Sequence, residues 1–501
     1  MTPTGNNRSV VVIGGGLAGI SAAIVLADAG ADVTLLEARP WLGGATCSFG
    51  RRGLTIDNGQ HAFLRCCETY RDLLARLGVT AASPLQDELD LTVLAPSVLG
   101  PGRAARVHRS RLPAPAHLLR SMAGYRLLSA AERAKATAAA IALQFVDANT
   151  DDRSLGDWLA RHGQDEWSRR TFWDLLSLSA LNVKADCADL PLAAAAISTA
   201  LLAGRGNADL GVPLVPLSEL HGNPAAALLR RLRVTVRLGV RAEATRVSPR
   251  GGFDVRLTHA AAADHSEPTA QREPVYEHAP TQINAAGIVL AVPAWNAASL
   301  VPETLAPDAA KWTTLKPSPV ISIHVIYGGR VTDLPFAAAV DSPVHWIVDK
   351  TAPAGLHFGQ YLAASVRAAD AYVDASVAAL RAEMLPALER LFPAASEATV
   401  TDFFVTKERR ATIAHVPGSR QSRMATCRQL PGFAIAGAWT DTGWPDTMEG
   451  AVRSGRSAAQ QVIAELSAGG VAAAGHVGRS RRPATPARVA PTGQREMTSR
   501  S

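Results

Sequence analysis

The sequence predicts an α/β chain, α+β overall: a Rossmann-like nucleotide-binding domain interrupted by a helical-plus-sheet second domain. Three observations predict it. A short β-branched run, Arg8–Ile13, passes directly into three glycines and then a helix. A second strand–helix pair lies near the other end of the chain, at Phe433–Ala436 and Met448–Leu466. Between them the texture goes from β-rich to helical, back to β-rich and then mixed.

The elements follow in order. Arg8–Ile13 reads as a strand, Leu17–Ala29 as a helix and Asp32–Glu37 as a second strand. This βαβ-like opening takes about 30 residues, the size of a nucleotide-binding unit. Arg51–Ile56 reads as a strand running into the tight turn Asp57-Asn58-Gly59, and Glu68–Leu77 as a helix closed by Gly78. A mostly helical region spans Leu118 to Leu202. Strand character returns at Val234–Val247 and Gly252–Leu257; the polar stretch His259–Gln282 reads as a loop or hairpin excursion. Ile288–Val292 is an apolar strand ended by Pro293. Val320–Tyr327 and His345–Val348 read as strands of a second sheet, and Ser376–Leu391 as an amphipathic helix. The expected division gives the nucleotide-binding domain 8–78, 205–300 and 425–466, and the second domain 79–204 and 301–424.

Composition narrows the class. The chain has 501 residues, 47% hydrophobic and 19% charged, which fits a globular protein with a large core. Five cysteines with no C-x-x-C pair argue against a disulfide scaffold and a zinc ribbon. No His/Cys/carboxylate cluster suggests a metal. The net charge is +7, but from Ser467 onward six arginines stand against one acid, Glu496. That stretch, 467–501, is expected to be a disordered basic tail. The folded body then carries little excess charge, so nucleic acid is not an expected partner. No secretory signal is evident, and no window approaches the ~20 apolar residues of a spanning helix. A soluble or peripheral protein is expected.

The chemistry begins at Gly14-Gly15-Gly16-Leu17-Ala18-Gly19, which fits G-x-G-x-x-G between a strand and a helix. Glycine permits the tight turn and close approach of a pyrophosphate. The helix start supplies free N–H groups. Glu37 ends the next strand, 18 residues beyond Gly19, where it can accept from a ribose hydroxyl and repel a 2′-phosphate. Glu37-Ala38-Arg39 followed by Gly43-Gly44-Ala45 extends this into a pattern typical of FAD proteins. Near the other end, Gly437 closes a strand, and Met448-Glu449-Gly450 opens a helix whose N–H groups can face a flavin carbonyl.

Together with Ala291-Val292-Pro293 and Glu449-Gly450-Ala451, these strings resemble the flavin-containing amine oxidase and phytoene desaturase superfamily. Finer strings resemble its hydroxysqualene dehydroxylase branch, the squalene-associated FAD-dependent desaturases. They are Asp57-Asn58-Gly59-Gln60-His61, Leu181-Asn182, Asp341 to Trp346 and Trp439 to Pro445. The resemblance covers about Arg8 to Leu466. It implies a GR2-type FAD-binding domain and a substrate domain with a long apolar tunnel. It also implies reductive removal of the hydroxyl of hydroxysqualene, giving squalene for hopanoid synthesis, with hydride from reduced flavin reaching an allylic carbon. It adds Asn58, Gly59, Gln60 and Ala438 to the expected cofactor-binding residues. The sequence departs from the family at Ala438, where an aspartate is usual; flavin affinity is at issue there.

The acid that assists loss of hydroxide is expected at His61 or Asp441. His61 equally suits a structural hydrogen bond beside its turn, Asp57 suits a turn residue, and His324 a satisfied core histidine. Phe172, Trp173, His345 and Trp346 are expected either to line the tunnel or to pack in the core. Such a substrate resides in lipid, so peripheral attachment to the cytoplasmic face of the cell membrane is expected, through Leu118–Ala130 or Leu190–Leu202. Rival readings are a carotenoid or phytoene desaturase, a flavin amine oxidase, and a flavin-free scaffold in which Ala438 marks lost catalysis.

Overall fold

Val10, Val11, Val12 and Ile13 form a continuous apolar run, the pattern of a strand covered on both faces. In the computed structural model, which describes residues 8–96, 103–147, 152–259, 281–424 and 430–475 (side chains to 468), this strand is the centre of a parallel sheet. The order is Phe433–Ile435, Gly287–Leu290, Ser9–Ile13, Asp32–Glu37, Thr235–Leu238. Helices Leu17–Asp28 and Met448–Gly475 pack together on one face. At their contact a Cβ on Gly455 would lie 2.0 Å from the Ala18 carbonyl oxygen, so only glycine fits. Both ends of the chain therefore build one sheet and one helix pair. The other face is covered by a core that includes Phe253, Trp312 and Trp439.

A three-stranded antiparallel sheet (Val240–Val247, Phe253–His259, Gln282–Ala285) follows the last parallel strand of the first half. A larger sheet of seven strands runs Val400–Ile413, Pro317–Tyr327, Gln360–Arg367, Trp346–Asp349, Phe336–Ala339, Asp90–Ala95, Arg103–His108. One face of it is apolar: Ile321, Ile323, Val325, Leu362, Ala364 and Val366 pack against helix Val377–Leu391. Short helices from 119 to 197 form a separate core around Trp158 and Trp173.

Several sequence expectations are corrected. Arg51–Ile56 is not one strand but the turn of a hairpin, Ser48–Arg51 with Leu54–Asp57. Arg52 and Gly53 both take positive φ (49° and 81°), the two-residue hairpin geometry that matches strand twist. The strands Asp90–Ala95 and Val400–Ile413 were not expected at all. The second is an edge strand carrying Lys407, Glu408, Arg409 and Arg410, and edge charge masks the alternation that marks a strand. The C-terminal helix runs nine residues beyond Leu466, to Gly475, helped by Ala472, Ala473 and Ala474; this part of the expected disordered tail is helical. The excursion at 260–280 and the tail from 476 lie outside the described residues.

Candidate active site

The glycine run folds back on itself. Gly14 has φ +108°, and a Cβ there would sit 2.2 Å from the Ala291 carbonyl oxygen. A Cβ on Gly19 would lie 1.8 Å from the Gly14 oxygen, and one on Gly44 2.8 Å from the Gly16 Cα. Gly43 N donates to Gly15 O at 2.9 Å, so the two glycine pairs lie side by side. Gly16 stands at the start of helix Leu17–Asp28 with no side-chain cap and no acid in the first turn. That leaves an open row of N–H groups with a partial positive charge. Ala18 and Leu17 are buried behind it.

Glu37 is held by backbone. Its Oε2 accepts from Gly15 N at 2.6 Å and its Oε1 from Arg39 N at 2.8 Å. A carboxylate keeps further lone pairs after two such bonds, enough for a ribose hydroxyl. Arg39 Nη1 donates to Gly44 O at 2.9 Å, tying the first glycine pair's neighbour to the second strand's end, with Ala38 between the two anchors. Asn58 Nδ2 donates to Ala45 O at 2.9 Å and to Glu408 Oε1 at 3.1 Å, so the Asn58-Gly59 turn joins the same group.

The C-terminal strand end meets this cradle through Val292. Trp439 Nε1 donates to Val292 O at 2.9 Å, and Gly437 N donates to Ser454 Oγ at 2.9 Å. Gly437 has φ +145°, and a Cβ would strike the Trp439 ring at 2.6 Å. Ala438 is half-buried in this loop. The loop is clamped by Arg423, which donates to the carbonyls of Trp439 (3.1 Å), Thr440 (2.7 Å) and Trp444 (2.6 Å). Met448 starts the final helix. Glu449 is buried, and its side chain faces away from the expected cofactor role. It accepts from Thr69 N at 3.2 Å and Tyr70 N at 2.7 Å, capping helix Glu68–Leu77, and from Arg453 Nε at 2.6 Å. Only its backbone remains for a cofactor.

Glycines that no Cβ could replace, an uncapped helix start and an oriented carboxylate fit a dinucleotide's pyrophosphate and ribose. The glycine turn, Glu37, Arg39, Gly43, Gly44, Ala45 and Asn58 are joined by hydrogen bonds into one group, which the loop at Gly437 meets through Val292.

The acids and bases are distributed differently. Asp57, expected as a turn residue, accepts from Ser48 Oγ (2.7 Å) and Leu217 N (2.9 Å) and pairs with Lys350 Nζ at 2.9 Å, both side chains nearly sealed from solvent. Lys350 gave no signal in the sequence beyond its charge. His61 Nδ1 lies 3.2 Å from Gly59 O, which can only accept, so Nδ1 carries the hydrogen and Nε2 the lone pair. Burial pushes the imidazole down to about 4, against the opposing pull of Gly59 O and Asp57. Near neutrality His61 is a neutral acceptor. Asp441 is exposed and accepts from Gly443 N at 3.2 Å within its own turn. Asp446, which sequence reasoning missed, is pushed up by burial to about 6, while Ile413 N and Arg423 pull it down. Its Oδ2 accepts from Ile413 N at 2.9 Å, and its own N–H donates to His415 Nε2 at 2.8 Å. The signal was a charged residue just before a helix start, in a segment read only for its glycines. His324 is satisfied: its nitrogens meet Tyr361 Oη (2.7 Å) and Thr406 Oγ1 (3.0 Å).

A cavity of about 810 Å³ opens beside Asp349 and Thr351. Leu85, Leu210, Val212, Phe336, Val348 and Leu356 give it an apolar wall, and its size is that of small-molecule sites. None of Phe172, Trp173, His345 and Trp346 lines it. Trp173 is fully buried, donating Nε1–H to Gln164 Oε1 at 2.9 Å. Phe172 packs edge-on to Tyr125 and Trp173 in the helical core. Trp346 reaches from the sheet to Ser179 Oγ (3.0 Å), and His345 Nδ1 accepts from Arg367 N (3.0 Å). Among the described residues no three His, Cys, Asp or Glu gather to hold a metal ion.

This fold and cradle define an FAD-dependent oxidoreductase. The model of the family described as flavin containing amine oxidoreductase matches residues 17–463, and the chain belongs to that family. It is 28% identical over 482 residues to the hydroxysqualene dehydroxylase of Rhodopseudomonas palustris, covering 91% of this chain and 99% of that one. It is 24% identical to the zeta-carotene desaturase of Zea mays, covering 90% and 83%. Among solved structures, a putrescine oxidase variant superposes with a TM-score of 0.68 at 18% identity (91% and 99% covered), and cyclohexylamine oxidase from Brevibacterium oxydans with 0.65 at 18% (92% and 99%). At those identities the likeness is one of fold.

Proposed function

We propose that the chain reduces hydroxysqualene to squalene. The observation carrying this reading is the end-to-end similarity to a hydroxysqualene dehydroxylase, with 99% of that chain covered. In this reading Gly14 to Gly19 receive the pyrophosphate, Glu37 and Arg39 orient the adenosine side, and Gly43, Gly44, Ala45, Asn58 and Gly59 let backbone approach the ring. The N–H groups at Met448 and Glu449 would serve its carbonyl end, and the loop Gly437-Ala438, held by the Arg423 clamp rather than by an acid at 438, would serve the ribityl side. The domain division 8–78, 205–300 and 425–466 against 79–204 and 301–424 goes with this assignment.

Reduced FAD supplies a hydride. With that hydride delivered to carbon, the carbon–oxygen bond of the allylic alcohol would break, and the departing oxygen would keep the bond pair and need one proton to leave as water. Hydroxide leaves poorly, so a proton donor lowers the barrier. Of the groups described, His61 is neutral above about 4 and Asp441 is exposed, so neither suits this role. Asp446, raised by burial to about 6, is held at Ile413 N, seven residues along its strand from the Thr406 contact with the Asn58 turn. The apolar cavity takes the hydrocarbon.

No described helix is long and apolar enough to cross a membrane. Of the two attachment segments expected, Leu190–Leu202 has its first half in the core, with Leu190, Leu192 and Ile197 buried. The other, Leu118–Ala130, exposes Leu119 beside Arg120 and Arg126, and its flanks expose Arg111, Leu112, Ile141 and Phe145. Apolar anchors flanked by cations suit peripheral binding to anionic lipid at the inner face of the membrane.

The decisive assay supplies hydroxysqualene with a chemical reductant of the flavin and, separately, zeta-carotene with an oxidant. Squalene from the first and no product from the second is expected. Desaturated carotene without squalene would establish the second reading, which the maize relative favours.

A further inference from the structure

On the seven-stranded sheet, Ser322 pairs with Ser365 on one side and with Thr406 on the other. Arg367 stands two residues beyond Ser365, so it shares their face. On the opposite face Ile321, Ile323, Val325, Leu362, Ala364 and Val366 pack on helix Val377–Leu391. The three hydroxyls and the guanidinium share the other side. That side meets the Gly59 turn: Ser322 Oγ is 4.0 Å from where a Gly59 Cβ would be, and Thr406 Oγ1 donates to Asn58 O at 3.1 Å. The turn belongs to the flavin cradle described above. Gln60 follows it, and His61, next in the chain, feels the charge of Arg367.

What sets this patch apart is unmet hydrogen bonding. Ser322 and Ser365 are each 1% exposed, and neither hydroxyl has a partner. Both ends of the Gln60 amide and the Arg367 Nε are likewise buried without one. Buried polar atoms are normally hydrogen-bonded, so five without partners on or beside the Gly59 turn need an explanation. Arg367 makes one long bond, Nη1 to Leu178 O at 3.4 Å, and no carboxylate pairs with it among the described residues. Burial pulls its guanidinium down to about 10, still cationic at neutral pH. A hydrocarbon offers nothing to these groups. A hydroxyl, donor and acceptor at once, can satisfy several together.

We infer that Arg367, Ser365, Ser322 and Gln60 form the subsite for the substrate's oxygen, with the Arg367 cation set to face negative charge as that oxygen departs. This rests on the dehydroxylase reading and deepens it. It names what separates an alcohol from the all-carbon chain behind it.

The test measures equilibrium binding of hydroxysqualene and of squalene to the oxidised holoenzyme, read from the flavin difference spectrum. The unmodified protein is expected to prefer the alcohol by about tenfold or more, since a bond to a charged donor is worth ~1.5–3 kcal/mol. Arg367→Met should erase most of that preference while leaving squalene affinity unchanged, and Arg367→Lys should restore part of it. If Arg367→Met yields no folded holoenzyme, the double variant Ser322→Ala/Ser365→Ala decides, with a three- to tenfold loss expected. An unchanged alcohol-to-hydrocarbon ratio in these variants, with hydroxysqualene still turned over by the unmodified protein, overturns the subsite alone. Failure of the unmodified protein to convert hydroxysqualene overturns the dehydroxylase reading and the subsite with it.

Discussion

The two walls of the active site are made of different material. The cradle wall is backbone: its glycines touch one another, and a single added carbon has nowhere to go. The sheet wall is side chain: serines and an arginine brought together by register from strands far apart in sequence, with Gln60 following the turn that meets them. A backbone wall holds a ligand that every member of a fold class shares. A side-chain wall can be exchanged residue by residue without disturbing the strands beneath, and so can carry the choice of substrate.

The strongest way to break this contrast is at the cradle. Gly19→Val places carbon within 1.8 Å of the Gly14 oxygen. Flavin affinity should fall by about a hundredfold, ~3 kcal/mol, as read from flavin retained after gel filtration. A variant that stays yellow would mean the cradle is more pliant than its contacts imply.

Acid should act mainly on the sheet wall and its surroundings. Burial holds His221, His324 and His345 near about 3, far below the ordinary 6.5. The unfolded chain binds those protons first, so stability is full above pH 6.5 and is withdrawn as pH falls toward 3. For the fully buried His221 and His324 this amounts to on the order of 3 kcal/mol each by pH 4. Asp446 runs the other way, its raised carboxyl adding stability as pH falls through about 6. Asp174 and Asp189 are raised by burial as well, but urea melts between pH 7 and pH 4 should show net loss, since His61, His117 and His415 are also lowered and the histidines outnumber the raised acids.

The buried pair between the walls gives the next effect. Lys350→Met strands the Asp57 carboxylate and should cost ~3–5 kcal/mol in chemical denaturation; adding Asp57→Asn should recover much of it. Glu449→Ala removes the cap from Thr69 N and Tyr70 N and should cost ~2 kcal/mol. Trp346→Phe loses the bond to Ser179 and part of the indole's packing on the helical core, and should cost ~1–2 kcal/mol.

Legibility in the sequence follows the same division. The cradle was readable because its demands are local. Gly14 to Gly19, Glu37, Gly43 and Gly44 lie within 31 positions; Gly14, Gly15, Gly19, Gly43 and Gly44 have no room for a side chain, and Glu37 is fixed by the hydrogen bonds it accepts. The family strings then placed Gly437 and Met448 at the other end. The sheet wall was not readable. Ser322 and Ser365 look like ordinary strand serines until register pairs them, and Arg367 looks like a surface cation at a strand end. Lys350 became an ion-pair partner only because a hairpin turn at Arg52-Gly53 brings Asp57 inward. Trp173 and Phe172 misled for the opposite reason: an aromatic pair in a helix announces burial, and burial in a helical core looks the same in sequence as burial along a tunnel.

The contact of Gly455 with Ala18 also bears on biosynthesis. The helix that follows strand Phe433–Ile435 leaves a ribosome long after its partners, Ala18 some 440 positions earlier and Tyr70 some 380, and the strand itself joins Gly287–Leu290, made about 145 positions before it. Ile288, Val289 and Leu290 must therefore wait without their neighbour strand until it has been made. Coenzyme capture, which needs both the glycine turn and the loop at Gly437, is complete only after that.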